Sequence, residues 1–494
     1  MDGLATNLFE IYWDIQYYHI IGRLPFDSIK RYSLVCKPWR EVAISYLLNN
    51  YVFVFDRHAS WSKLIVNAKT LRVPDDYFIF LKNICSYNIS KLILNYDYNS
   101  SIKLPNNITD ITFGEMYNQP TVLPFTLTTL KFGDQYNQST PLPPNLTDLR
   151  FGDSYNQATL LPSGIIDLRF GSNYNNPTPL PSNVINLFFG SNYNQNVPLP
   201  PNIERLELGC FYDQSINLPF NIKYLKLVND RKPLTHLPNK LIELEWCGNY
   251  NYQIMSLSLL TKLTVRSVYN ESITLPPKLI QLKFGFRYNQ PTELPPFLTK
   301  LIFGGDYNQP TPLPNNLTKL VFGDKYNQPT DLPPQLIVLT FGSYYNQPTK
   351  LPKHIIALEF GHYYNQPTPL PPCIVTLVFG HLYNQTTKLP NDIINLTFGS
   401  KYNQPTALPD KIVNLKFGDN YNQDTILPNL IVSLTFGHKY NQPTPLPNGI
   451  NSLVFWGDEY NQQTPLPPNI ESLKISANFM HLSAIPNNNY IIIN

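Results

Sequence analysis

The chain has 494 residues and a formal net charge of +3, with 37 Lys+Arg against 34 Asp+Glu. That near-balance excludes a general electrostatic pull toward nucleic acid or an anionic membrane. Only 14% of residues are charged and 47 are proline, but the prolines recur in register, so they are structural and do not signal disorder. Five cysteines (Cys36, Cys85, Cys210, Cys247, Cys373) stand far apart without a C-x-x-C pair. This usage predicts a reducing compartment with neither disulfides nor structural zinc. Met1 to Glu10 shows no basic, apolar leader pattern. No stretch approaches the ~20 apolar residues of a membrane span.

Residues 4–48 read as helical. Leu8, Ile11, Ile15 and Tyr18 recur at three- and four-residue steps, one apolar face of a helix. Gly22 closes it. Asp27 or Ser28 is placed to cap a second helix whose apolar side holds Ile29, Tyr32, Leu34 and Val35. Pro38 interrupts that helix, and Trp39 to Ala43 starts another. Leu24-Pro25 followed by Ser33-Leu34-Val35-Cys36-Lys37-Pro38-Trp39-Arg40 resembles the F-box. This resemblance implies a small all-α domain that docks on the Skp-type adaptor of cullin-RING ubiquitin ligases. Leu24, Pro25, Ile29, Leu34, Val35, Cys36 and Trp39 would be its adaptor contacts. The alternative is a helical cap that carries the same run and binds nothing.

Residues 49–88 read as a linker and N-terminal cap. Tyr51 to Phe55 has strand character, and Trp61 to Ala68 and Phe78 to Ile84 are short helix candidates. An open solenoid end needs such a cap. Ile89 to Asn99 reads as a worn first repeat, with Leu92 and Leu94 in strand positions and Tyr98 in register.

The rest is organised by Leu-Pro-x-x-Ile/Leu-x-x-Leu-x-Phe-Gly-x-x-Tyr-Asn-Gln-Pro-Thr. Its tyrosines stand 19 residues apart at Tyr117, Tyr136, Tyr155, Tyr174, Tyr193 and Tyr212, and again from Tyr250 to Tyr440. Arg231 replaces one of them. Tyr460 arrives one residue late because Trp456 is inserted after Phe455. A fixed period near this length is the signature of a solenoid whose units bury their apolar faces on one another. Leu149-Arg150-Phe151 alternates as a short strand. Gly152 ends it where the chain must turn, Leu161-Pro162 opens the return, and Ile165 points inward. Nineteen residues leave room for one short strand and a loop, and hardly for a helix. The expectation is a mainly β, parallel β-solenoid of about twenty such coils over residues 89–475. A C-terminal cap follows at 476–494.

Tyr117-Asn118-Gln119-Pro120 and its flanking Leu-Pro-x-x-Leu-x-x-Leu-x-Phe-Gly resemble FNIP repeats, which implies a leucine-rich-repeat-like solenoid. The order of the two motifs resembles the F-box and FNIP repeat-containing proteins of amoebae and of the giant DNA viruses that infect them. That resemblance implies a substrate-recognition subunit of an SCF-type ubiquitin ligase, acting in the cytoplasm (the host's, if viral). Such a subunit would do no bond chemistry and need no cofactor. A plain interaction scaffold without a ligase link is the alternative.

Repeated positions read as packing: the tyrosines as an aromatic ladder, and Asn118, Asn137 and Asn156 as buried amides bonding the backbone of the next coil. Function is expected where the coils differ. The residues on either side of the strand leucine point away from the core. Lys131, Arg150 and Arg169 fall there with Asp148 and Asp167 beside them, either as a salt-bridged solvated face or as a patch for an acidic partner segment. Lys300 and Lys319 beside Ile302 and Val321 make a second, mixed patch. These seven cationic and apolar residues are the candidate contacts for an unknown protein target. His362 and His381 share a register position without a carboxylate or Cys, so no metal site is expected. Phosphate-binding, nucleophile-elbow and zinc-protease motifs are absent from the sequence. No carboxylate cluster of the kind needed by a polysaccharide-cleaving β-helix is evident. The drift of the repeat between Gly209 and Asn270 reads as tolerated variation, with a distinct surface or bend as the alternative.

Overall fold

The computed structural model describes residues 53–54, 70–73, 89–227, 236–246, 254–266, 268–457, 460–462, 464–468 and 470–475. The F-box-like segment, the two short helices expected before residue 89 and the cap at 476–494 lie outside the described residues. The chain divides into two compact units, residues 1–238 and 239–494.

In the first unit, ten strands among the described residues run from Phe53–Val54 to Tyr224–Leu227. Each pairs in parallel with the next. The ladder begins earlier than the repeat. Inside the expected linker, Phe53–Val54 pairs in register with Thr70–Val73, which in turn pairs with Lys91–Leu94. The second unit holds thirteen described strands, from Glu243–Trp246 to Ser472–Lys474, paired in the same way. A single 3-10 turn, Ile254–Ser256, is the helical structure among the described residues.

Most strands have three residues, and their central leucine faces the core. Leu149, Leu168 and Leu187 are fully buried and sit directly opposite one another, each contributing about 1.5–3 kcal/mol of burial. Phe stacks on Phe in the next coil, at 5.5 Å between Phe151 and Phe170. Tyr stacks on Tyr, at 6.0 Å between Tyr155 and Tyr174. Within a coil Phe151 lies 3.8 Å from Tyr155. The expected aromatic ladder is therefore present, with the tyrosines in the core.

Two repeated residues are explained by contacts between coils. No described glycine has positive φ, so Gly152 is not needed for a left-handed turn. A Cβ there would collide with the carbonyl oxygen of Gly133 one coil back. The glycine is required by close backbone approach. The asparagines do bond the neighbouring backbone, but Asn327 and Asn346 are only half-buried and Asn156 is exposed. Asn327 Oδ1 accepts from the Asn346 backbone N–H at 3.0 Å and from Gln347 Nε2 at 3.1 Å. The Pro that follows this pair has no N–H, so side-chain amides replace the backbone ladder on this edge.

The threonine of the repeat completes the network. The hydroxyls of Tyr345 and Thr349 lie 2.5 Å apart, and Thr349 donates to the Gln347 carbonyl at 2.9 Å. The phenol thus donates to a hydroxyl whose own proton is already committed. Tyr193 departs from this rule. Val197 occupies the threonine position, and the buried Tyr193 hydroxyl has no partner among the described residues. The Trp456 insertion, by contrast, is absorbed: its indole is partly exposed, and Tyr460 still stacks on Tyr440 at 6.2 Å.

Val197→Thr is expected to raise stability by about 1 kcal/mol by giving the Tyr193 hydroxyl an acceptor, read as a higher denaturant midpoint at unchanged slope. The ladder also predicts alkaline unfolding. Burial pushes Tyr364 and Tyr402 up to about 12, with the Thr368 and Thr406 hydroxyls partly opposing it. Unfolded tyrosines ionise from about 10, so between about 10 and about 12 the folded chain holds more protons. Stability then falls as pH rises, by up to about 1.4 kcal/mol per pH unit for each such tyrosine. Circular dichroism across this window should show a cooperative loss of structure; a chain that stays folded to pH of about 12 would contradict it.

Candidate functional site

The two outward positions of each strand, flanking the core leucine, form two columns along each unit's sheet. In the first unit, Lys131, Arg150 and Arg169 are direct neighbours in one column, and Asp148 and Asp167 are neighbours in the other. Each arginine bonds the aspartate of its own strand, Arg150 to Asp148 at 3.2 Å and Arg169 to Asp167 at 3.3 Å. Both pairs are partly exposed, which limits each to about 0–1 kcal/mol. They do offset the repulsion expected of in-register like charges.

This face continues into a cluster the sequence reading did not assemble. The Arg169 guanidinium lies 3.8 Å over the Phe188 ring, so Phe188 points outward as expected yet is buried. Arg205 lies 3.6 Å over the Tyr224 ring. The Tyr224 hydroxyl donates to Glu207 at 3.1 Å, and Lys226 reaches the same carboxylate at 3.4 Å. The clue was available: Arg205, Glu207, Tyr224 and Lys226 occupy the same alternating positions as Asp148 and Arg150.

On the outward strand face of the second unit, the ion pairs among the described residues are confined to the first two strands. Lys262 pairs with Glu243 at 2.5 Å and Arg266 with Glu245 at 2.7 Å. Lys300 and Lys319 then stand directly opposite each other, as do Ile302 and Val321. The second predicted patch is therefore assembled as one contiguous surface. Lys283 adjoins it, opposite Ile302. Leu24, Pro25, Ile29, Leu34, Val35, Cys36 and Trp39 lie outside the described residues.

The turn after the glycine forms a further column in the second unit. The rings of His362 and His381 stack with centroids 4.5 Å apart and 3° between planes. Exposed Tyr344 and Tyr363 stack beside them at 4.9 Å. Burial, His362 and Lys401 hold His381 below the usual imidazole range, against a weaker opposite pull from Asp419. His438 Nδ1 lies 2.8 Å from Asp419 Oδ1. Among the described residues no group of three or more His, Cys, Asp or Glu side chains is placed to hold a metal ion. Nor, among them, is any helix long and apolar enough to cross a membrane.

The FNIP Repeat family model matches residues 98–135, 117–154, 136–173, 269–306, 288–312, 307–344, 402–439 and 440–478. Among solved structures, the chain is similar to CroV588, described as a novel circular LRR protein structure. Identity is 31%, the match covers 82% of this chain and 73% of that one, and the TM-score is 0.60. It is also similar to YopM from Yersinia enterocolitica WA-314, at 20% identity over 78% of this chain and 86% of that one, with a TM-score of 0.47. No curated protein matches.

The stacked imidazoles yield a direct test. His381 should titrate below free histidine by NMR, and His362→Asn should move its titration upward, because a second cation would no longer form beside it. An unchanged titration would show that the two rings do not interact in solution.

Proposed function

Because the chain belongs to the leucine-rich-repeat proteins and carries FNIP repeats, we propose that its solenoid is a protein-binding scaffold and that the chain is a substrate receptor of an SCF-type ubiquitin ligase. The binding reading is carried by one observation. Leucine, phenylalanine, glycine, tyrosine and asparagine repeat from coil to coil, while the outward strand positions vary in charge and polarity along the sheet, in short runs of like residues. Packing constrains the first set. The second set is free to encode a partner, and a parallel array of short strands holds it rigidly, which limits the entropy lost on binding.

The ligase link rests on Leu24-Pro25 and the Leu34-Val35-Cys36 to Trp39 run, ahead of the repeats as in the F-box proteins they resemble. In this reading residues 4–48 dock on a Skp-type adaptor, and the cullin core supplies the chemistry. The solenoid raises the local concentration of a protein target near the ubiquitin-charged enzyme. The protein works in the cytoplasm, that of the host if the chain is viral. A scaffold without a ligase link is the second reading.

Affinity capture from amoebal lysate with the full chain, beside Leu24→Ala/Pro25→Ala, tests this. Recovery of adaptor and cullin by the parent, and at least about a tenfold loss with the double variant, is the expected result, since two apolar contacts together are worth several kcal/mol when buried. If neither folded form retains the adaptor, the ligase link fails. Partners retained by both forms would leave the scaffold standing.

A further inference from the structure

The outward strand positions of the second unit contain a run of positive charge without counter-charge. Lys283, Lys300 and Lys319 lie on three successive strands. None makes an ion pair within the described structure, whereas Lys262 and Arg266 just before them do. The other outward positions from Gln281 to Thr340 are Gln281, Ile302, Val321, Val338 and Thr340, without a carboxylate. Lys300 and Lys319 are in direct register, and parallel strands lie ~4.8 Å apart. Like charges placed so destabilise a sheet. In the first unit the comparable repulsion is offset by Asp148 and Asp167. Here the structure leaves it standing.

An apolar ridge leads away from these lysines. The residue preceding each strand is Ile337, Ile356, Val375, Ile394, Val413 and Val432 in six consecutive coils. Ile337 and Ile356 are 40% and 45% exposed, well above the buried isoleucine or leucine that precedes each. Ala357, Thr376 and Val378 flank the ridge, and Glu359 is the first outward carboxylate.

Building on the protein-binding reading, we propose that this face docks an extended acidic segment of a partner protein. Its Asp or Glu side chains would lie over Lys283, Lys300 and Lys319, and its following apolar side chains along Ile337, Ile356 and Val375. The polarity is set by charge: carboxylates are drawn to the three lysines through charge-assisted hydrogen bonds and repelled from Glu359. An anionic nucleic acid fits less well. The ridge is aliphatic, and none of the outward positions from Gln281 to Val378 is aromatic, whereas single strands bind by stacking bases on aromatic rings. The arginines of the first unit, already paired, are not the acidic segment's site.

The test uses the full chain and a fluorescein-labelled peptide of Asp and Glu leading into Val and Leu, followed by anisotropy. The parent should bind, more weakly as salt rises. Lys300→Gln/Lys319→Gln should weaken binding by about tenfold or more, as expected for lost charge-assisted contacts, while Arg150→Gln/Arg169→Gln leaves it unchanged. The lysine variant should melt no lower than the parent, because it removes a repulsion, so lost binding cannot be misread as unfolding. No binding by the parent, equal binding by the lysine variant, or tighter binding of a labelled uridine homopolymer would overturn the assignment. A photo-crosslinker at Val338 separates this failure from that of the scaffold reading. Partners captured on the parent without crosslinking there would sink this site alone. A chain that captures no partner on any face would sink both.

Discussion

Close approach of one coil's backbone to the next is the constraint on which the rest of the structure depends. The glycines after the strand leave no space for a Cβ against the carbonyl of the preceding coil. That contact sets the coils at the spacing of a parallel sheet. Once it is set, like side chains must face like. Leucine meets leucine, phenylalanine phenylalanine and tyrosine tyrosine, at centroid separations held between 5.9 and 6.4 Å along the tyrosine ladders of both units. Proline, which cannot donate to a ladder, is tolerated because asparagine and glutamine amides carry the bonding on that edge.

The same in-register rule makes charge expensive. A cation repeated in adjacent coils faces itself, and the chain answers by placing a carboxylate within the strand, as at Asp148 and Asp167, or one coil back, as Glu243 does for Lys262. Compensation is densest where the repeat has drifted. Glu204 and Glu207 just before that stretch, and Glu243 and Glu245 within it, engage its cations. There the strands lengthen to four residues, as in Tyr224–Leu227 and Lys262–Val265, and the glycine gives way to Val228 and Arg266. Against that habit, three neighbouring lysines without a carboxylate stand out as a surface shaped by something other than the stability of the isolated fold.

The repeat also shows how little local deviation matters when the ladder is long. Trp456 adds a residue, yet Tyr460 remains stacked and the Asn461 backbone still donates to Asn441 Oδ1 at 3.1 Å. The extra side chain is displaced outward, where Lys474 lies 3.9 Å over its ring. Losing the threonine at Val197 costs one hydrogen bond and no change of register. A solenoid's stability is roughly a sum over neighbouring units, so single defects are diluted.

By itself the sequence determined the period, the parallel β-solenoid, the inward leucine, phenylalanine and tyrosine, and the outward positions where the coils differ. These follow from periodicity and side-chain alternation, which are local properties. Lys131, Arg150, Arg169, Lys300, Ile302, Lys319 and Val321 were legible as surface candidates for the same reason. Only the tertiary structure decided which charges are paired, that arginines cover Phe188 and Tyr224, that a threonine hydroxyl receives the ladder phenol in most regular coils, and that glycine serves close backbone approach. Each of these depends on distances between residues about 19 positions or more apart, or on side-chain directions within one coil, and a one-dimensional pattern carries neither.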